Sequence, residues 1–104
     1  EEIVARLADH SDPDARAAAG AIERRSPLAV AVSLEALRRA RGFSALDDQY
    51  EQELTLAVRM ATSGEFIEGV RAQLIDRDRS PQWSHASLAD VSRAEVLSYF
   101  APLA

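Results

Sequence analysis

Two histidines, His10 and His85, are the natural starting point, because imidazole titrates near neutrality and suits acid–base or nucleophile-activating work. No serine, aspartate or glutamate beside either of them makes a recognisable triad, so neither is expected to be catalytic. Asp76-Arg77-Asp78-Arg79 alternates carboxylate and guanidinium, a superficial likeness to a cation loop. The glycine and distal glutamate of a calcium loop are missing and the arginines compete for the carboxylates, so no metal site is expected. Asp47, Asp48, Glu51 and Glu53 follow helical spacing at the start of a helix, where acidic groups favour the helix dipole. A solvated helix face accounts for them better than acid–base catalysis. Arg38, Arg39 and Arg41 have the chemistry to hold a phosphate, but cations at the C-terminal end of a helix stabilise that helix, and this is the preferred reading. Gly69 is more telling: glycine inside a helix costs about 1 kcal/mol relative to alanine, so another backbone or a large side chain is expected to approach there. Trp83, in a polar stretch, is expected to anchor that stretch to a core. Taken alone, these residues describe a helical packing module with no catalytic residue and no metal ligand.

The elements that position them are helical almost throughout. Ile3 and Leu7 lie one turn apart in a short first segment that His10-Ser11-Asp12 interrupts. Asp12-Pro13 and Ser26-Pro27 both read as an N-cap followed by proline at the first helical position, where the missing N–H costs nothing. An Ala-rich helix follows the first. Val30, Leu34 and Leu37 share a face of the second, which Gly42 ends. Ser44 and Asp47 predict a capping box for a fourth helix carrying Leu46, Tyr50, Leu54 and Val58 at every fourth position, widened by Leu56 and Met60. Ser63-Gly64 divides it from a fifth helix, with Ile67, Val70 and Leu74 as a stripe flanked by Phe66 and Ile75. Asp76 to Ser87 reads as an ordered irregular connection, and Ser92 with Glu95 as a capping box for a last short helix that Pro102 ends. No alternating run supports a strand. The expected class is all-α, five to six short helices.

Composition narrows the function. With 104 residues, 47% of them hydrophobic, the chain suits one compact domain or one lobe of a larger protein. Acidic residues outnumber basic ones, 17 to 12, and every basic residue is arginine, which disfavours nucleic-acid binding. Cysteine is absent, excluding disulfides and thiolate chemistry and fitting a cytoplasmic location. The longest purely apolar run, Leu28 to Val32, is too short for a membrane span, and no signal-peptide pattern opens the chain. The Glu-Glu opening without methionine is expected of a piece of a longer protein.

The run from Glu65 to Trp83, EFIEGVRAQLIDRDRSPQW, closely resembles the C-terminal signature of 3-hydroxyisobutyryl-CoA hydrolases, approximately D-F-x-E-G-V-R-A-x-L-I-D-K-D-x-x-P-x-W. Phe66, Glu68, Gly69, Val70, Arg71, Ala72, Leu74, Ile75, Asp76, Asp78, Pro81 and Trp83 match. Crotonase relatives at large share a looser form; I-D-x-D and P-x-W point to the hydrolase branch. Ser26-Pro27 with Leu34-Glu35-Ala36-Leu37, Glu51, and the tail from Ala86 to Val91 are similar to the family as well. Glu65 stands for the usual aspartate, Arg77 for the usual lysine, and Ser84-His85 where a proline commonly follows the tryptophan.

The resemblance implies that residues 1–104 are the C-terminal helical lobe of a crotonase-like thioesterase of valine breakdown, cleaving 3-hydroxyisobutyryl-CoA to 3-hydroxyisobutyrate and CoA. In the family, backbone N–H groups of a glycine-rich loop polarise the thioester carbonyl while core acidic side chains assist. This chain has no Gly-Gly pair, its four glycines standing at 20, 42, 64 and 69, so it is expected to lack the catalytic core and to be inactive alone. No cofactor is expected, coenzyme A being part of the substrate. The lobe's implied work is to pack on that core, help enclose the acyl-CoA site and form subunit contacts. The stripe around Phe66, Val70 and Leu74 is expected to pack within the lobe, and other apolar faces to cause self-association. Arg77 and Arg79 become candidates for CoA phosphates, against solvation or pairing with Asp76 and Asp78. An enoyl-CoA hydratase or isomerase is the nearest rival for the parent, and a non-catalytic helical interaction module is the rival from another class.

Overall fold

The computed structural model describes residues 1–103, and among them every regular element is helical. Helices α1 (Glu2–Ala8), α2 (Pro13–Glu23), α3 (Pro27–Ala40), α4 (Leu46–Ala61), α5 (Gly64–Val70) and α6 (Arg93–Ser98) follow in order. A π-helical turn, Arg71–Ile75, extends α5, and a 3₁₀ turn, Leu88–Asp90, precedes α6. None of the described helices is long and apolar enough to cross a membrane.

The proline starts form as the sequence dictates. Asp12 accepts from the Asp14 N–H at 2.9 Å, and Ser26 from the Ala29 N–H at 3.1 Å, each satisfying a donor that the first turn leaves open. The other capping expectations are corrected. α4 opens at Leu46 with Ala45 as its cap, and Ser44 and Asp47 form no box. Ser63 occupies the cap position of α5, but its hydroxyl turns back to donate to the Met60 carbonyl at 2.7 Å. Ser92 does accept from the Glu95 N–H, at 3.1 Å, whereas the Glu95 carboxylate reaches His85 instead of returning to the cap. The reciprocal box lies at Ser87 and Asp90, heading the 3₁₀ turn.

The apolar core is small. Leu28 and Val32 of α3 meet Val96 of α6, with Ala31, Leu56, Val91, Tyr99 and Phe100 packed around them. α1 and α2 form a helical hairpin that packs chiefly on itself. Two apolar stripes face away from all this. On α4, Leu46, Tyr50, Leu54 and Val58 are exposed, Leu54 at 60%, while Gln52, Leu56 and Met60 look inward and the Gln52 amide donates to the Ala36 carbonyl of α3. On α5, Phe66, Ile67, Leu74 and Ile75 are exposed, Leu74 at 69%, and only Val70 of the stripe is partly covered. The expectation that Phe66 and Leu74 pack within the lobe is therefore corrected. Helical spacing reveals that an apolar face exists but not what it faces, and the wider turn after Val70 moves Leu74 off its register. The inward line of α5 is Glu65, Gly69 and Ala72, acidic and small.

Candidate functional site

Two polar assemblies flank α5, one at each end. At its C-terminal end the Asp76 N–H bonds to the Arg71 carbonyl at 2.8 Å, five residues back, and the Arg79 N–H reaches the Ala72 carbonyl at 3.0 Å. This widened ending swings the chain around the guanidinium of Arg71. Its Nε and Nη2 fork onto Glu68 at 2.8 and 2.6 Å, and its Nη1 donates to Asp76 at 2.9 Å and Asp78 at 2.7 Å. One cation thus gathers three carboxylates. Arg71 holds Glu68 down at about 2, helped by the Gln82 N–H, and these partners raise its own affinity for its proton. Asp78 is also held below the usual carboxylate range, by Arg71 first and then by the Ser80 N–H.

Arg77 and Arg79 sit between and beyond those aspartates, outside the cluster on Arg71. Both adopt left-handed backbone, with φ of 55° and 56°, a region that side chains with a Cβ rarely occupy. The alternation sends Asp76 and Asp78 to Arg71 and leaves Arg77 and Arg79 exposed on one loop. The Arg77 Nε makes only a long contact, 3.5 Å, to the Leu74 carbonyl. Pairing of these arginines with Asp76 and Asp78, one of the sequence alternatives, is corrected: Arg71 has already taken both carboxylates, and it does so because the turn brings it underneath them.

At its other end α5 carries Glu65, a buried carboxylate. Ser26 Oγ donates to one of its oxygens and the Ser84 N–H to the other, at 2.8 Å. Burial pushes Glu65 up, but these hydrogen bonds and the nearby His85 outweigh it and the net shift is downward. His85 Nε2 lies 2.7 Å from Glu95, and Ser84 Oγ is 3.0 Å from its Nδ1. Glu65, Ser84, Glu95 and Tyr99 border a pocket of ≈ 370 Å³ here. Burial, then Glu95 and Glu65, raise Tyr99. Serine, histidine and glutamate in line have the composition of a hydrolytic triad, which the sequence did not disclose because Ser84 and His85 lie in a loop and Glu95 on α6. Yet the Ser84 N–H, which could have faced a developing oxyanion, is committed to Glu65. The group fastens the 80s loop to α5 and α6.

The remaining candidates fall to structural roles. His10 Nδ1 accepts from the Asp12 N–H at 3.0 Å within the α1–α2 turn. Arg39 bonds Glu35 at 2.9 Å and lies 4.2 Å over the Phe100 ring, so it is packing, not phosphate binding, that occupies it. The α4 carboxylates are exposed, as a solvated face requires. Gly69 and Trp83 meet as its cost implied: a Cβ on Gly69 would lie 3.4 Å from the indole, which anchors the loop there.

An all-α lobe with a small core, two outward apolar faces and an arginine-bearing loop is the class that these features define. Sequence places it further: a model of the enoyl-CoA hydratase/isomerase family matches residues 1–100, and the chain belongs to that family, within the crotonase superfamily. It is 39% identical over 103 residues to the mitochondrial 3-hydroxyisobutyryl-CoA hydrolase of Gallus gallus, covering 99% of this chain and 26% of that protein. Among solved structures it superposes on an enoyl-CoA hydratase from Rhodobacter sphaeroides 2.4.1 with a TM-score of 0.89 and 40% identity, over 98% of this chain and 30% of that one. A carnitinyl-CoA dehydratase from Mycobacterium thermoresistibile gives 0.86 and 41%, over 96% and 28%. The chain therefore spans about a quarter of the length of the curated relative it matches. The expected cytoplasmic location is overturned, since the vertebrate hydrolases that it resembles are mitochondrial.

Proposed function

We propose that residues 1–104 form the C-terminal helical lobe of an acyl-CoA thioester hydrolase that converts 3-hydroxyisobutyryl-CoA to 3-hydroxyisobutyrate and CoA. The catalytic core lies outside this chain in that reading. The lobe covers the core with the exposed faces of α4 and α5, helps close the acyl-CoA site and contributes to subunit contacts, and alone it turns nothing over. Arg77 and Arg79 reach the phosphates of the CoA moiety. The observation that carries the reading is the I-D-x-D loop itself, which consumes its own aspartates on Arg71 and leaves two guanidinium groups, two residues apart, exposed. The likeness to the chicken hydrolase supports the reaction.

The second reading, the same lobe on an enoyl-CoA hydratase or isomerase, draws on the two solved structures. Thiol release by the parent reading frame separates the two. Rapid release from 3-hydroxyisobutyryl-CoA is expected. Hydration of crotonyl-CoA without release gives the parent to the hydratase branch. In the same assay R77A/R79A should raise KM for the acyl-CoA with little change in kcat, because the contact is remote from the thioester. The third reading, a non-catalytic helical interaction module, predicts that an upstream frame with a glycine-rich loop does not exist.

A further inference from the structure

We propose that Arg71 is the positioning residue of this loop: it sets the backbone that displays Arg77 and Arg79 and offsets part of the negative charge beside them. The inference rests on the reading of Arg77 and Arg79 as the phosphate contacts, and deepens it. Without a counter-charge, a D-R-D-R segment makes a poor anion site, since each guanidinium has a carboxylate as its sequence neighbour. The structure resolves that conflict by geometry. Nη1 of Arg71 holds Asp76 and Asp78 together at 2.9 and 2.7 Å, and Glu68 grips the other edge of the same guanidinium at 2.8 and 2.6 Å. Arg71 holds the alternate residues Asp76 and Asp78, and the backbone at Arg77 and Arg79 is left-handed, with φ of 55° and 56°. Left-handed arginines persist only where the surroundings over-determine them, and the bonds to Asp76, Asp78 and the Arg79 N–H are those surroundings. The donors of Arg71 are spent on Glu68, Asp76 and Asp78, so it has none to offer a phosphate.

The test uses the 104-residue chain with inorganic pyrophosphate as probe, followed by amide chemical shifts, together with hydrogen exchange at the Arg79 N–H. Replacing Arg71 by methionine should weaken pyrophosphate binding roughly five- to tenfold, because Glu68, Asp76 and Asp78 then lose the one cation that they share. Exchange at Arg79 should accelerate in the same variant. R71M/D76N/D78N separates charge from shape: binding should recover to within about twofold of the unsubstituted chain while Arg79 exchange stays fast. R71K, which keeps a charge but has no fork for three carboxylates, repeats the comparison if R71M does not fold, and it too should release Arg79. Unchanged binding with unchanged Arg79 protection in both R71M and R71K overturns the proposal. If R77A/R79A binds pyrophosphate like the unsubstituted chain, or the latter binds none, the phosphate reading fails. Fast Arg79 exchange in R71K then still upholds the positioning role, and slow exchange defeats it.

Discussion

The inside of this lobe and its outer face have exchanged the usual roles. Glu35 and Glu65 are 7% and 6% exposed, whereas Tyr50 and Leu54 of α4 and Phe66, Ile67, Leu74 and Ile75 of α5 stand in the open. The buried carboxylates are satisfied one by one. Glu35 takes the Arg39 Nε at 2.9 Å and the Arg93 Nη1 at 2.6 Å, joining α3 to α6. Those two guanidinium groups, Arg93 before Arg39, keep it ionised further into acid. Glu65 joins α3, through Ser26, to the loop, through Ser84. These polar bridges add to an apolar core whose buried residues are Leu28, Val32 and Val96. The apolar side chains on the outside, such as Leu54 and Leu74, contribute little to this packing.

The largest effect should come from cutting a bridge. Glu65→Leu leaves the Ser84 N–H and Ser26 without their acceptor in a buried place, and the chain should lose about 1–3 kcal/mol in urea-unfolding stability. A loss no larger than that of a surface change would dissolve the contrast between inside and outside.

Acid should act on the same contrast. Glu35, Glu65, Glu68 and Asp78 all hold their protons less tightly folded than unfolded. Their stabilisation is complete above the ordinary carboxyl range and is lost as pH falls through the folded values. For Glu68 that window runs from 4.5 down to about 2. Thermal unfolding followed across this window should show a falling midpoint, and a flat profile would mean that the bridges are idle.

The smallest change in stability, within about 0.5 kcal/mol, is expected from L54E/I67E on the outer face. Its effect should appear in sedimentation instead: the unsubstituted chain is expected to associate as its concentration rises, and the variant to remain monomeric. A large loss of stability in L54E/I67E would show that this face is packed within the lobe after all.

The sequence alone set most of the fold, because helix boundaries are local. Asp12-Pro13, Ser26-Pro27 and Gly42 act within a turn of where they stand, and the structure follows them. Gly69 announced its partner for a similar reason, since only a close approach justifies a helical glycine, and Trp83 supplies it. The family was legible from Phe66 to Trp83 as well. Tertiary structure decided the rest. Stripes of leucine and isoleucine carry no information on which way they face, and here they face out. Ser84, His85 and Glu95 became neighbours only when α6 folded back on the loop, and Arg71 became a hub only when one widened turn placed Asp76 and Asp78 above it. Spacing along a chain fixes contacts within a turn or two; contacts between segments depend on how whole elements pack, and that is settled by the sum of many weak terms that no single motif records.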